Sequence, residues 1–148
     1  MCLDYRARMR RRCAWLVVAA PLVVTACTGP SLDELTESAD ALAVPASWEF
    51  VAEEVADRPC PDPVENCPRV KRTYEVPGAT DFGAVISQML EDGGFDVWDP
   101  PSSRCGPNPE QGCNAGARRG DVSLRAIVLD VATGSYTVTV RATEYVGP

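Results

Sequence analysis

The chain has 148 residues, a formal net charge of −7 and no histidine. This acidic balance argues against binding to nucleic acid, because phosphate backbones attract basic surfaces. Without histidine, the chain cannot form a Ser-His-Asp or Cys-His catalytic group of its own. It also lacks a glycine-rich nucleotide-binding loop and an EF-hand pattern, so the sequence implies no cofactor and favours a non-enzymatic protein.

A secretory signal is predicted at residues 1–26. Five arginines precede the apolar segment 14–26, which contains Pro21. A membrane-spanning helix needs about 20 consecutive apolar residues, and this segment is shorter. A basic head, a short apolar segment and small residues at its end are typical of a signal peptide that is removed on export.

The end of this signal, Val24-Thr25-Ala26-Cys27, resembles the lipobox of bacterial lipoproteins. The resemblance implies cleavage before Cys27 and attachment of a diacylglyceryl group to its thiol. The protein is then held at the extracytoplasmic face of the cell membrane. Residues 27–30 form a lipidated tether and residues 31–148 form a single α+β domain. The alternative is an ordinary secretory signal followed by a chance cysteine.

The charge becomes more negative once the signal is removed. Residues 27–148 contain nine Lys and Arg against 20 Asp and Glu, a formal charge of −11. We attribute this acidity to solubility at the envelope surface. It argues against a polybasic surface that binds lipid.

Four cysteines remain for disulfide formation once Cys27 is assigned to lipid. An even number of cysteines in an exported protein indicates a disulfide framework, and several pairings are possible. We favour Cys60–Cys67 and Cys105–Cys113, because each pair brackets a short proline-rich segment. A metal site is disfavoured, since zinc cysteines are usually separated by about two to four residues and often accompanied by histidine.

The first elements of the domain are predicted to be a helix and a β-hairpin. The helix covers residues 31–43, with Ser31 as the N-cap and Glu34 completing a capping box. Residues 48–56 and 69–76 alternate between apolar and polar positions, as strands do. The cysteine-containing loop between them completes the hairpin.

The register of this hairpin is also predicted. If the apolar side chains share the buried face, residues opposite each other have numbers of equal parity. Asp57 then faces Arg69 or Lys71 on the solvent side. Trp98 is assigned to the core rather than to a sugar-binding face. The hairpin side chains assigned to the core are Trp48, Phe50, Val70, Tyr74 and Val76.

The second half of the domain is predicted to contain a helix, a short strand, a long loop and a second hairpin. The helix is capped by Thr80 and runs to about Glu91, with apolar residues at helical spacing. Residues 99–120 read as an irregular loop, since they contain four prolines and two cysteines. In the last strand, Thr137, Thr139 and Arg141 alternate with apolar residues. The predicted strands are 95–98, 123–131 and 136–145.

This order of elements predicts an α+β fold. Strand hairpins with a helix between them favour an antiparallel sheet whose helices pack on one face. We therefore expect a two-layer domain with a sheet of about five strands and two helices.

The predicted loop at residues 99–120 is the candidate binding segment. It carries Arg104, Arg118 and Arg119 in an otherwise acidic domain. Loops held by a rigid scaffold often carry recognition, and prolines and a disulfide reduce the entropy lost on binding. We hypothesise that these arginines contact an anionic partner in the envelope. A rigid loop with no binding role is the alternative.

The sequence thus favours a membrane-anchored envelope lipoprotein that acts as a non-enzymatic binding or interaction module. Its partners are the membrane, through the lipid on Cys27, and an envelope protein or anionic envelope component. One alternative is a small lipid-anchored hydrolase that uses carboxylates, which a cleft with converging buried acids would favour. The other is an accessory subunit of an envelope complex, which a large exposed apolar patch would favour.

Overall fold

The computed structural model describes residues 29–57, 68–78, 80–107, 109, 113–132 and 135–145. The predicted signal, the lipidation residue Cys27 and the predicted Cys60–Cys67 disulfide lie outside these ranges. The sequence-based statements about them stay predictions.

Two α-helices and six strands form the described part of the chain. The helices are α1 (Leu32–Asp40) and α2 (Phe82–Asp92), and α1 is shorter than predicted. A 3₁₀ helix, Ser103–Cys105, lies between the third and fourth strands. The strands are β1 (Glu49–Ala56), β2 (Arg69–Pro77), β3 (Asp96–Asp99), β4 (Asn114–Arg119), β5 (Val122–Ala132) and β6 (Ser135–Glu144).

The described strands form one antiparallel sheet in the order β1-β2-β6-β5-β4-β3. Helix α1 packs over β2, β6 and β5, and α2 packs over β3 and β4. Both helices contribute to one hydrophobic core, so they lie on the same face of the sheet. This confirms the α+β fold, with six strands rather than about five.

The core lies between the two helices and one face of the sheet. In β5 and β6, alternate residues point to the helices and are buried. Burial of one large apolar side chain contributes about 1.5–3 kcal/mol. The other face of the sheet, which points away from both helices, we call the open face. The largest fully buried side chains include Phe82, Leu35, Ile86, Met89, Leu90, Leu124, Val70 and Val138.

The additional strand, β4, lies inside the segment predicted to be a loop. Its sequence contains no β-branched or aromatic residue, so it lacks the usual signals of a strand. Pairing with β3 on one side and β5 on the other decides its structure. Ala115 and Ala117 are fully buried beneath the helices. The loop prediction is therefore wrong for residues 114–119.

The caps explain where the helices begin. In α1, Ser31 Oγ accepts a hydrogen bond from the Glu34 backbone N–H at 3.2 Å, and the Glu34 carboxylate accepts one from the Ser31 N–H at 2.6 Å. The predicted capping box is thus confirmed. In α2, the N-cap is Asp81 rather than Thr80. The Asp81 carboxylate accepts a hydrogen bond from the Ala84 N–H at 3.1 Å.

The hairpin of β1 and β2 forms as predicted, but a β-bulge changes its register. Phe50 faces Tyr74, whereas Ala52 faces Thr73, so Val51 is the additional residue. The predicted equal parity holds before the bulge and is wrong after it. Local alternation cannot reveal such an insertion, because the bulge is defined by the partner strand.

Exposure on β1 follows from its position at the edge of the sheet. Phe50, predicted to be buried, is 56% exposed, because α1 packs over the neighbouring strands instead. Trp48 and Tyr74 are buried as predicted, with ring centres 6.2 Å apart. Trp98 is 49% exposed, so its assignment to the core is wrong. Its indole packs over the backbone of Gly116.

Cys105 and Cys113 are joined by a disulfide, as predicted. Their Cα atoms lie 4.9 Å apart, and both side chains are buried. Gly83, in the first turn of α2, lies against Cys105. The disulfide therefore connects the segment next to α2 with the start of β4.

Arg72 connects α1 to the first hairpin on the helix side of the sheet. Its Nη2 donates to Asp40 at 2.6 Å and its Nε donates to Glu53 at 2.7 Å. Burial alone would lower the pKa of Arg72, but the hydrogen bonds to Glu53 and Asp40 outweigh it and raise the pKa. Arg72 therefore has a structural role, because it links α1 to β1 and β2.

Candidate functional site

The open face carries a row of three cations that lie side by side. Lys71 on β2 faces Arg141 on β6, and Arg141 faces Arg125 on β5. Adjacent strands are about 4.8 Å apart, so the row spans roughly 10 Å. Like charges directly opposite each other destabilise a sheet. We call these three residues the cationic row.

The two outer members of the row have acidic partners. Lys71 Nζ donates to Glu54 at 3.0 Å, and Arg125 Nη2 donates to Asp99 at 3.1 Å. The hydrogen bond from Lys71 lowers the pKa of Glu54. Arg141, in the middle, is exposed and forms no hydrogen bond or ion pair with another described residue. The guanidinium at the centre of the row is therefore available for contact with a ligand.

Hydroxyl groups surround Arg141 on the same face. Thr139 and Thr143 flank it along β6, Thr73 faces Thr139, and Ser123 faces Thr143. Hydroxyls donate hydrogen bonds to anionic oxygens, and a guanidinium binds phosphate or carboxylate with charge-assisted hydrogen bonds. This arrangement of one cation among hydroxyls is chemically suited to a phosphate, sulfate or carboxylate group.

Two more arginines extend the positive charge towards one end of the strands. Arg69 on β2 faces Thr143, and Arg118 on β4 faces Ser123. The Arg118 guanidinium lies 5.4 Å from the centre of the Tyr145 ring. Nine Lys and Arg follow the predicted signal, and five of them lie on the open face. We call the five the basic patch: Arg69, Lys71, Arg118, Arg125 and Arg141.

The three arginines predicted to bind an anionic partner do not share one surface. Arg118 lies on the open face, whereas Arg119 is the next residue of the same strand and points to the helices. Arg104 lies in the 3₁₀ helix, which packs against α2. Only Arg118 belongs to the basic patch.

Arg119 is held by contacts within the domain. Its Nη1 donates to the Gly93 carbonyl at 3.2 Å and its Nη2 donates to Ser38 Oγ at 3.2 Å. Its guanidinium also lies 4.7 Å from the centre of the Phe95 ring. Arg119 therefore joins β4 to α1 and to the end of α2, which is a structural role.

The sequence analysis missed most of the basic patch. Alternation in the last strand does place Arg141 with Thr137 and Thr139, away from the apolar residues. Lys71 and Arg125 occupy similar outward positions in their own strands. They become neighbours of Arg141 only because β6 lies between β2 and β5, and local patterns do not determine that order.

Two shallow clefts lie at the start of α1, and their acids are exposed. Glu34, which lines both, already accepts the capping hydrogen bond from Ser31. These clefts therefore lack the buried, converging acids that a carboxylate hydrolase needs. The first, of about 380 Å³, is lined by Pro30, Glu34, Glu37, Ser38, Arg119, Gly120, Asp121 and Val122. The second, of about 800 Å³, is lined by Gly29, Pro30, Ser31, Leu32, Asp33, Glu34, Asp57 and Pro68.

Exposed apolar side chains concentrate on the edge strand β1. Phe50, Val51 and Val55 are each about half exposed. The bulge at Val51 interrupts the strand, and bulges of this kind protect natural edge strands from pairing with other chains. Trp98 and Leu129 on the open face are also about half exposed, so the large apolar side chains exposed among the described residues are divided between this bulged strand and the open face.

Three further observations bear on the candidate functions. Among the described residues, no group of three or more Cys, Asp or Glu is placed to hold a metal ion. Neither described helix is long and apolar enough to cross a membrane. Comparisons with protein-family models, with curated proteins and with solved structures each find no match. The basic patch is the candidate site that the geometry of the chain supports best.

Proposed function

We propose that this chain is a lipid-anchored envelope lipoprotein whose domain is a non-enzymatic binding module. The lipobox-like segment that ends in Cys27 supplies the anchor. The open face supplies the binding surface, and its ligand is an anionic component of the envelope. The observation that carries this proposal is the cationic row of Lys71, Arg141 and Arg125 in a domain with a formal charge of −11.

The repulsion within the row supports a role in binding. Facing positions in a sheet are stabilised by opposite charges and destabilised by like charges. The 20 acids that follow the signal show that negative side chains are abundant in this domain, yet Arg141 is flanked by two cations. Local arrangements that cost stability are typical of functional sites, and an anionic ligand at Arg141 would relieve this repulsion.

Retention on a phosphorylated matrix tests the binding surface. The full chain is expressed in a bacterium, purified from its membrane and applied to phosphocellulose at low salt. We expect Arg141→Gln to elute at clearly lower salt than the unchanged protein. The variant loses the contact between Arg141 and the phosphate groups of the matrix, and less salt is then needed to screen the contacts of the remaining cations.

Arg104→Gln is the discriminating variant, since it removes the same charge from outside the basic patch. If the open face binds, this variant elutes with the unchanged protein. Equal losses for Arg104→Gln and Arg141→Gln, with folding intact by circular dichroism, would contradict the assignment to the open face. Absence of retention of the unchanged protein would contradict binding to anions altogether.

The anchor is tested separately. Cys27→Ser should abolish incorporation of a radiolabelled fatty acid and block cleavage at this position. Label that persists in the variant would show that Cys27 is not the lipidated residue, and it would leave the binding result on phosphocellulose unaffected.

A further inference from the structure

The two layers of the domain differ in charge. The helices α1 and α2 contain no Lys or Arg, whereas the open face holds the five cations of the basic patch. Among the described residues, the open face also carries five acids, which surround these cations: Glu54, Asp96 and Asp99 lie on the edge strands β1 and β3, and Glu49 faces Glu75 towards the far end of β1 and β2. The helix layer is therefore acidic, whereas the open face carries acids and cations in equal number and has the cations at its centre. The acids of the helices and of the α2 cap are Asp33, Glu34, Glu37, Asp40, Asp81, Glu91 and Asp92.

The basic patch also has a definite position along the strands. Arg69 and Arg118 belong to the row of Thr143 and Ser123, close to the end of β6. The cationic row is two residues further along, about 7 Å away. The far half of the open face has Glu75, Thr137, Thr139 and Leu129 instead of cations.

The described chain begins at this same end of the sheet. Gly29 lies against the carboxylate of Glu144, the last residue of β6, which faces Val122. Cys27 precedes Gly29 by two residues, so its Cα lies at most about 7 Å from that of Gly29. A lipid on Cys27 would therefore hold this end of the sheet close to the bilayer, and the difference in charge between the two faces decides which face turns towards it.

We propose that the open face lies against anionic phospholipid headgroups of the membrane that holds the lipid anchor. This rests on the proposed function and names the anionic component. Lys71, Arg118, Arg125 and Arg141 contact the headgroups, and the acidic helices face away from the membrane. In this orientation the open face of the sheet is covered by the membrane, and the two helices are exposed on the opposite side of the domain.

The energetics favour this arrangement although the domain as a whole is acidic. Each basic residue near an anionic membrane contributes about 1 kcal/mol, and this attraction decays within a Debye length of about 10 Å. The acids of the open face oppose docking, but they lie around the central cations. The acids of the helix layer are on the other side of the sheet, so they are further from the headgroups. The lipid tether makes docking intramolecular, so that a few weak contacts are sufficient.

Trp98 provides a probe of docking. It is half exposed on the open face, over Gly116 and next to Asp99, whereas Trp48 is buried. The lipidated protein is reconstituted into vesicles of phosphatidylcholine, with and without phosphatidylglycerol, that contain a quencher in the headgroup region. The variant Trp98→Phe gives the background signal from the remaining tryptophan.

We expect quenching of Trp98 in the vesicles that contain phosphatidylglycerol and its loss at high salt. Arg141→Gln should lower the ratio of docked to undocked protein about fivefold, and Arg118→Gln/Arg141→Gln about 25-fold, at roughly 1 kcal/mol per cation. Arg104→Gln, which also removes one charge, should behave as the unchanged protein.

Equal quenching in both kinds of vesicle, or quenching that Arg118→Gln/Arg141→Gln does not reduce, would overturn the proposal. The phosphocellulose experiment distinguishes binding of anions by the open face from docking of that face on phospholipid headgroups. Retention there without docking on phosphatidylglycerol would leave the open face as an anion-binding surface for a soluble or polymeric partner. If the unchanged protein shows neither retention on phosphocellulose nor docking on vesicles with phosphatidylglycerol, the proposed function is overturned as well.

Discussion

Arg141 faces Lys71 directly across β6 and β2, so two cations lie side by side on the open face. On the other side, Arg141 faces a third cation, Arg125. Lys71 and Arg125 each form an ion pair with an acid at the edge of the sheet. Arg141 forms no hydrogen bond or ion pair with another described residue, although its charge also acts on Glu54. The centre of the open face is thus the place where stability and binding are expected to oppose each other.

This opposition predicts that Arg141→Gln stabilises the free domain. Removal of the central charge relieves two like-charge contacts, which we expect to raise the free energy of unfolding by about 0.5 kcal/mol. Urea unfolding at low salt measures the gain. The gain should shrink at high salt, because screening already weakens the repulsion. A loss of stability that is independent of salt would contradict the prediction.

Arg119 and Arg118 are neighbours in β4 with opposite expected effects. Arg119→Ala removes two hydrogen bonds and a contact with Phe95, so we expect a loss of about 1.5–3 kcal/mol. Arg118→Ala removes an exposed side chain, and exposed substitutions usually change stability by about 0.5 kcal/mol or less. Denaturant unfolding of both variants makes the comparison. Equal losses would show that the two side chains do not lie on opposite faces.

The disulfide between Cys105 and Cys113 should stabilise the domain. In the chain-entropy model, a closed loop with a sequence separation of 8 contributes about 2.5 kcal/mol. Cys105→Ala/Cys113→Ala should lose at least this amount, because the buried sulfur atoms are removed as well. Thermal unfolding measures the loss. Peptide mapping without reduction should recover the Cys105–Cys113 pair, and free thiols at these two positions would contradict the disulfide. The same map tests the predicted Cys60–Cys67 bond.

Local patterns in the sequence predict individual helices and strands better than they predict which elements lie next to each other. The capping box of Ser31 and Glu34 and the apolar spacing of α2 depend on residues that are close in the chain, and both are found. The strand β4 is missed, because Ala115, Gly116 and Ala117 have little strand propensity and are fixed by pairing with β3 and β5. Tertiary contacts override propensity in such segments.

The candidate site depends on long-range pairing even more strongly. Lys71 and Arg141 are distant in sequence, and their contact requires that β6 insert between β2 and β5. Strand order and register are set by the whole sheet rather than by any single strand. The hypothesis from the sequence therefore names three arginines of which only Arg118 lies in the basic patch, and it misses Arg141 and its neighbours.

Tyr74 gives a prediction for alkaline pH. Its ring is 5% exposed and packs against Trp48 and Phe50, and this burial raises its pKa above the ordinary value of 10.0, although the charge of Arg72 opposes the shift. The folded state therefore holds this proton more tightly than the unfolded state. Stability from this group is fully present below about pH 10 and is lost as the pH rises through the raised pKa.

Tyr74→Phe isolates this effect, since phenylalanine keeps the ring and removes the ionisable hydroxyl. Phenolate absorbance of the two proteins is titrated under native conditions, and the component lost in the variant should have a midpoint above pH 10. The unfolding free energy of the unchanged protein should also fall more steeply above that pH than that of the variant. A missing component with a midpoint at or below pH 10, or parallel stability curves, would show that Tyr74 is not held in the buried position between Trp48 and Phe50.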